Sequence, residues 1–204
     1  TVVTVLCGLV VAWAGRTLRE SSRFNPGRAC LRIASLGYAL PGTVLAIGLL
    51  TPFTLIDHAL ADALNLDGLL LMGSMGALVV AYTLRFLAMP AGGIEAGLSR
   101  IPPSLEQASR LLGESSAGTL RRVHLPLLRP ALAASALLVF VDAMKELPAT
   151  LLLRPMNFDT LATWLYAEAA RGTYEEGAVA ALAIVLAGLL PVILLARTNL
   201  KMGH

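Results

Sequence analysis

The chain has 204 residues, of which 56% are hydrophobic and only 14% are charged, and its mean hydropathy is +0.73. Soluble proteins carry about 25% charged residues, so the composition excludes a soluble domain of this size, which needs a large polar surface. It also excludes a disordered chain, and two cysteines are too few for a disulfide scaffold. We predict a polytopic membrane protein.

Apolar runs of about 20 residues are long enough to cross a bilayer as helices. The sequence has five such runs, at about 1–15, 34–56, 68–90, 130–152 and 177–196. They show no period-2 alternation, so they predict an all-α transmembrane helix bundle. The first run begins without Met or a basic segment, unlike a secretory signal. We expect residues 1–204 to form a single transmembrane domain that is a fragment of a longer protein.

Basic residues are concentrated in alternate connections between these runs. The second connection, about 57–67, has aspartates and no Lys or Arg. Arginines are frequent after the third run, and they occupy the first connection at Arg16, Arg19, Arg23, Arg28 and Arg32. Cytoplasmic loops carry the Lys/Arg excess, so we expect the start of the chain outside and its C-terminus in the cytoplasm. Nucleic-acid binding needs the basic residues on one soluble face, which this alternation excludes.

The connection at about 91–129 is long enough to have a structure of its own. Pro102–Pro103–Ser104 favours a helix start, leucines follow at helical spacing, and Gly113 is typical of a helix end. Caps for a second helix are available at Ser115, Ser116 or Thr119. We predict two short helices bent at this glycine, although an amphipathic helix in the lipid headgroups explains the same spacing. The Gly-x-x-x-Gly spacing at 93–97 is expected in the loop.

Three charged residues lie inside the fourth apolar run, at Asp142, Lys145 and Glu146. Their i, i+3, i+4 spacing places them on one helix face. Charges at membrane depth cost at least about 2.5–3.5 kcal/mol each, so we expect them to face the bundle interior. They either line a translocation path with oxygen ligands for a hard cation, or form an Asp142–Lys145 ion pair that fixes helix packing. The histidines lack ligand spacing, and no permanent metal site is expected.

Part of the long connection resembles the EAA loop of ABC-transporter permeases. The family pattern is Glu-Ala-Ala, three residues, Gly, nine residues, Ile, one residue, Leu-Pro. The residues that follow this spacing are Gln107, Ala108, Ser109, Gly113, Val123, Leu125 and Pro126. Gln107 replaces the usual Glu, and Glu106 stands one position earlier. The resemblance implies that this loop couples the permease to an ATPase.

Two further stretches resemble the ferric-iron type of permease. They are Leu36–Val44, and Lys145–Pro155 followed by Phe158–Thr163. The resemblance extends over essentially the whole chain. It implies a type I ABC importer permease fold, with this chain as most of the C-terminal half and the other half either fused or separate.

The resemblance also implies a function, that of an inner-membrane permease subunit importing ferric iron in bacteria. Its implied partners are two cytoplasmic ATPase subunits, which bind the ATP, and a periplasmic substrate-binding protein. The chain itself has no phosphate-binding Gly-rich loop with Lys, and no motif of an enzyme, so we expect neither a cofactor nor catalysis.

Two alternatives stay open. Related permeases carry thiamine, polyamines or phosphonates instead of ferric iron. An ion-coupled secondary transporter could use Asp142, Lys145 and Glu146 as a coupling-ion site in a broken helix. Such a carrier does not need a cytoplasmic loop bent at Gly113. This loop is therefore the feature that distinguishes an ABC permease from an ion-coupled carrier.

Overall fold

The computed structural model describes residues 1–17, 26–65 and 68–202, and the chain is all-α within them. Arg19 and Arg23 of the first connection, Asp67 of the second and the C-terminal histidine, His204, lie outside the described ranges. The helices are α1 (Val2–Thr17), α2 (Pro26–Ala39), α3 (Gly42–Leu64), α4 (Met75–Phe86), α5 (Ala88–Ser99), α6 (Pro103–Leu111), α7 (Ser116–Thr119), α8 (Leu125–Met144), α9 (Pro148–Leu153), α10 (Leu161–Arg171) and α11 (Tyr174–Met202).

Three helices of the described chain are long and apolar enough to cross a membrane, namely Gly42–Leu64, Ser116–Met144 and Tyr174–Ile193. A fourth span results if α4 and α5, which are bent by 49° at their junction, count together. The first apolar run forms a shorter helix, α1. The predicted all-α transmembrane bundle is confirmed, with three or four full-length spans beside the short α1.

Two of the expected spans are interrupted immediately before or at a proline. The second is split between α2 and α3 at Leu40–Pro41, and the fourth between α8 and α9 at residues 145–147. Proline has no backbone N–H and disfavours a helical residue before it, which accounts for both breaks. Lys145 and Glu146 therefore lie at a helix break and not on one face of a continuous helix.

The segment 93–97 is helical, and the expectation of a loop there was wrong. It lies inside α5, where its two glycines face α8 closely. A Cβ added at Gly97 would lie 2.8 Å from a methyl group of Leu128, and one at Gly93 would lie 2.7 Å from the Ser135 hydroxyl. Small residues at this spacing let two helices approach closely, so the motif serves helix packing.

The first predicted helix of the long connection is present as α6, with Pro103 at its start. Gly113 follows it in the left-handed conformation, at φ +84°, and the Ser115 hydroxyl caps α7 by accepting from the Gly118 amide at 3.1 Å. The second helix differs from the prediction because it is not short. It continues from α7 through a π-helical turn, Leu120–His124, into α8.

The described chain divides into two compact units. The first contains Thr1–Leu36 and Leu87–Val139, and the second contains Gly37–Phe86 and Phe140–His204. The core of the first unit is formed by Ala12, Ile94, Leu98, Ile101 and Leu128. The core of the second is formed by Ala46, Phe53, Ala77, Leu78, Ala81, Ala149 and Leu153. The small residues in the second core let α3, α4 and α9 pack closely.

Asp57 is a fully buried carboxylate in α3. It accepts hydrogen bonds from three successive backbone amides, of Leu70 at 3.0 Å, Leu71 at 2.5 Å and Met72 at 2.7 Å. Burying a charge is costly unless it is paired or hydrogen-bonded, and these three donors meet that requirement. Asp57 therefore fixes the segment that leads into α4.

Replacing Asp57 with Asn should destabilise the second unit, because the amide group presents donors to backbone amides that also donate. We expect a loss of about 1.5–3 kcal/mol, the usual value of hydrogen bonds to a charged group. Thermal unfolding of the detergent-solubilised protein measures it. The Asp62→Asn variant, at an exposed position of the same helix, is the control. Equal melting temperatures for the two variants would contradict the role of Asp57.

Candidate functional site

The long connection is held in the first unit by a cluster of three ionisable side chains, which we call the Arg16 cluster (Arg16, Glu106 and His124). Oε1 of Glu106 lies 2.5 Å from Arg16 Nε and 2.8 Å from His124 Nε2. All three side chains are mostly buried, His124 to the greatest extent. The cluster joins the end of α1, the helix α6 and the π-helical turn.

Arg16 also binds the C-terminal end of α5. Its Nη2 donates to the Ile101 carbonyl at 2.9 Å, and its Nη1 donates to the Leu98 carbonyl. Helix C-termini leave carbonyls without intrahelical partners and carry partial negative charge. One guanidinium group therefore binds two backbone carbonyls at and just after the end of α5, and also the carboxylate of Glu106.

The residues matching the EAA pattern lie on different sides of this segment. Ser109 is buried, and its hydroxyl lies 2.9 Å from that of Thr119. Val123 and Leu125 are partly buried around the π-helical turn, whereas the remaining matches are exposed: Gln107, Ala108, Gly113 and Pro126. Two of the leucines at helical spacing are exposed, Leu111 at the end of α6 to 88% and Leu112 directly after it to 84%.

A second group of charges lies in the second unit, around the break between α8 and α9. The expected pair is present, with Lys145 Nζ 2.8 Å from Asp142 Oδ1, and the lysine side chain is 64% exposed. Glu146 does not join this pair. Its Oε2 lies 2.8 Å from Arg85 Nε, and its side chain is only 6% exposed. The three predicted residues thus belong to two separate ion pairs.

The Arg85–Glu146 pair connects two helix breaks within the second unit. Glu146 Oε1 accepts from the Ala149 amide at 3.2 Å, at the start of α9. Arg85 Nη1 donates to the Leu40 carbonyl at 3.1 Å, between α2 and α3. Gly42 leaves room for the pair, because a Cβ there would lie 2.7 Å from Glu146 Oε1.

These ion pairs line a cavity of about 620 Å³, together with Tyr38, Leu40 and Pro41. Two cationic and two anionic side chains leave the lining close to neutral overall. Within the described ranges, no three His, Cys, Asp or Glu side chains come together as metal ligands. Among the residues that the structure describes, the cavity is therefore lined by two ion pairs of opposite charges and has no cluster of like charges.

The sequence reasoning missed Arg85 and the Arg16 cluster. Arg85 stands inside the third apolar run, and a charge at that depth is itself a signal of a polar partner. Arg16 lies among the arginines of the first connection, which indicate orientation but no partner. His124 has no metal-ligand spacing in the sequence, and its partner is a carboxylate.

Within its described residues the chain is an all-helical membrane domain with short helices in the connection between two of its spans. The chain belongs to the family of binding-protein-dependent transport system inner membrane components, whose family model matches residues 4–200. These are the permeases of ABC importers, which are multi-pass inner-membrane proteins. The family indicated by the EAA-like spacing is therefore confirmed.

Two curated relatives align with 98% of this chain. The Fe(3+)-transport system permease protein FbpB 2 of Haemophilus influenzae is 29% identical, and the putative 2-aminoethylphosphonate transport system permease protein PhnV of Salmonella typhimurium is 27% identical. The chain spans 36% of the length of the first and 70% of the second.

Solved ABC transporters share the fold. A chain of a bacterial alginate transporter in complex with its periplasmic protein superposes with a TM-score of 0.72 at 15% identity, covering 98% of this chain and 71% of that one. A chain of the MetNI methionine transporter in an inward-facing conformation gives 0.66 at 18% identity, covering 96% and 88%. The type I importer permease fold is thereby established.

Replacing Glu146 with Gln should destabilise the second unit more than replacing Asp142 with Asn. The first change leaves Arg85 beside a neutral, buried partner and should cost about 1.5–3 kcal/mol. The second breaks a pair whose lysine is largely in solvent, and such pairs contribute about 0–1 kcal/mol. Thermal unfolding in detergent compares the two, and a reversed order would contradict the assignment of the buried pair.

Proposed function

We propose that this chain is the permease subunit of an ATP-driven importer for ferric iron. Two cytoplasmic ATPase subunits hydrolyse ATP, a periplasmic binding protein delivers the substrate, and a second permease half completes the pathway. Membership of the permease family supports the general function. The relative FbpB 2, a ferric-iron permease by name, supports the substrate.

The observation that carries the coupling role is the exposed surface of α6 and the turn after it. Leu111 and Leu112 project from this segment, beside the exposed Gln107 and Ala108. The positive-inside rule assigns the connection to the cytoplasm, the side on which the ATPase subunits act. An amphipathic helix with exposed apolar anchors fits a groove on a partner protein.

Gly113 gives this segment its bend. A Cβ at this position would meet no heavy atom within 4 Å, so space does not require glycine there. The left-handed φ of +84° does, because side chains other than glycine rarely adopt it. The glycine therefore orients the exposed leucines relative to the helix that begins at Ser116.

Replacing Gly113 with Val should uncouple transport from ATP hydrolysis while the protein still inserts. A β-branched residue at this φ carries roughly 1–3 kcal/mol of strain, which the exposed turn can relieve by changing its bend. Substrate uptake and co-purification of the ATPase measure the effect. Gly92→Val is the control, because that glycine also has open space around it but lies within helix α5. Normal uptake in the Gly113 variant would contradict the coupling role.

The charged cavity is the proposed polar part of the translocation route, with Asp142, Lys145 and Glu146 in its lining. Arg85 joins them from α4. The nearly neutral lining lets a charged substrate pass without being trapped, because each charge it meets has a neighbour of opposite sign.

Converting Asp142 to Asn and Glu146 to Gln together should lower uptake more than tenfold, measured per molecule of assembled transporter. The comparison is made at a temperature where both proteins are folded, because loss of the Glu146 pair also costs stability. Unchanged uptake with a lower melting temperature would assign these residues to helix packing alone.

The experiment that tests the function is co-purification of the full-length protein from its native membrane, followed by an ATPase assay. A stoichiometric ATPase supports the proposed importer, and its absence would contradict the proposed coupling of this chain to an ATPase. Uptake of labelled iron, thiamine and 2-aminoethylphosphonate by the complete system then identifies the substrate, since relatives named for thiamine and for phosphonate transport are 26% and 27% identical to this chain.

A further inference from the structure

The helix α6 is docked on the first unit through polar contacts on its inward face. Glu106 and Ser109 are one turn apart and therefore lie on the same side of the helix. Glu106 meets Arg16 and His124, and Ser109 meets Thr119. The orientation of α6 thus depends on ionic and hydrogen-bonding partners, while its leucines remain exposed.

We propose that the Arg16 cluster is a mechanical link, through which displacement of α6 is transmitted directly to α1 and α5. Arg16 and Glu106 are its positioning residues. This inference rests on the proposed coupling of α6 to an ATPase. It adds a route that does not follow the chain from α6 into α7 and α8.

Helix α6 needs such a link because its local structure gives it little stability. It has nine residues, and isolated helices shorter than about 12 residues are marginal in water. Its N-cap residue, Pro102, makes no side-chain capping hydrogen bond, and it ends beside the Gly113 bend. A force applied at its surface would therefore distort it unless a contact across the unit held it.

The geometry of Arg16 suits transmission to two helices at once. Its guanidinium group is rigid and has five donors in a fixed plane. One edge holds Glu106 and the other nitrogens hold the carbonyls of Leu98 and Ile101 at the end of α5. Lysine at this position would keep the positive charge but could not make the three contacts together. The Arg16→Lys variant therefore tests the geometry of the guanidinium group separately from its charge.

Glu106 supplies the carboxylate of this link, whereas the neighbouring Gln107 takes no part in it. Successive helix residues are rotated by about 100°, which turns Gln107 outward where Glu106 turns inward. His124 Nδ1 has no hydrogen-bond partner in the described part of the chain, so Nε2 is the atom by which the π-helical turn joins the cluster. Gln in place of the family's Glu at 107 leaves the link intact.

The test uses the intact transporter, purified with its ATPase and reconstituted in vesicles with its binding protein. Glu106→Gln and Arg16→Lys should keep the ATPase bound but lower substrate transported per ATP roughly tenfold, as expected for loss of a charge-assisted contact. Glu95→Gln is the matched control, because Glu95 is exposed on α5 and lies outside the cluster and the proposed coupling surface. Unchanged transport per ATP in both cluster variants would overturn the link.

A tether provides the second measurement. In a background where the free cysteines Cys7 and Cys30 are replaced with Ser, Arg16→Cys and Glu106→Cys are joined by a short thiol cross-linker. Restored transport per ATP supports a mechanical link, whereas a cross-linked protein that stays uncoupled overturns it, as does failure of the two positions to cross-link. If the wild-type chain binds no ATPase, the proposed function is contradicted. This outcome differs from failure of the mechanical link, in which the ATPase stays bound and the cross-linked protein stays uncoupled.

Discussion

A carboxylate removed from water must be paired or hydrogen-bonded, and this constraint organises the whole chain. Each buried charge is costly unless it has a partner, because it has lost its interactions with water. Asp57 is satisfied by three backbone amides, Glu106 by Arg16 and His124, and Glu146 by Arg85 and the Ala149 amide. The partners of Asp57 and Glu106, and Arg85 as a partner of Glu146, come from other segments of the chain. These three carboxylates therefore fix separate segments of a unit to one another.

Helix breaks and polar contacts occur together in the second unit for a physical reason. A break leaves backbone carbonyls and amides without helical partners, and these groups cannot be left unsatisfied in apolar surroundings. Arg85 binds a carbonyl at the break near Pro41, and Glu146 binds an amide at the break near Pro148. The same two side chains then neutralise each other. A polar cavity in an apolar unit follows from the need to satisfy interrupted backbone.

The apolar residues of α6 are distributed in the opposite way to those of an ordinary surface helix. An amphipathic helix usually buries its apolar side, yet here the buried positions are Glu106 and Ser109 while Leu111 and Leu112 are exposed. Polar contacts are directional, so they fix one orientation of a short helix. The exposed leucines are then available for a partner, which is the arrangement that a coupling segment needs.

The sequence by itself determined the all-α class, the approximate spans, the start of α6 at Pro103, the bend at Gly113 and the three candidate caps from which the structure selects Ser115. These features depend on periodicity, proline and glycine chemistry, and capping within one or two helical turns. The tertiary structure alone decided that Glu146 pairs with Arg85 and Glu106 with Arg16, and that Gly93 and Gly97 belong to a packed helix. Such partners are distant in the chain, and they meet only because small residues let particular helices approach each other.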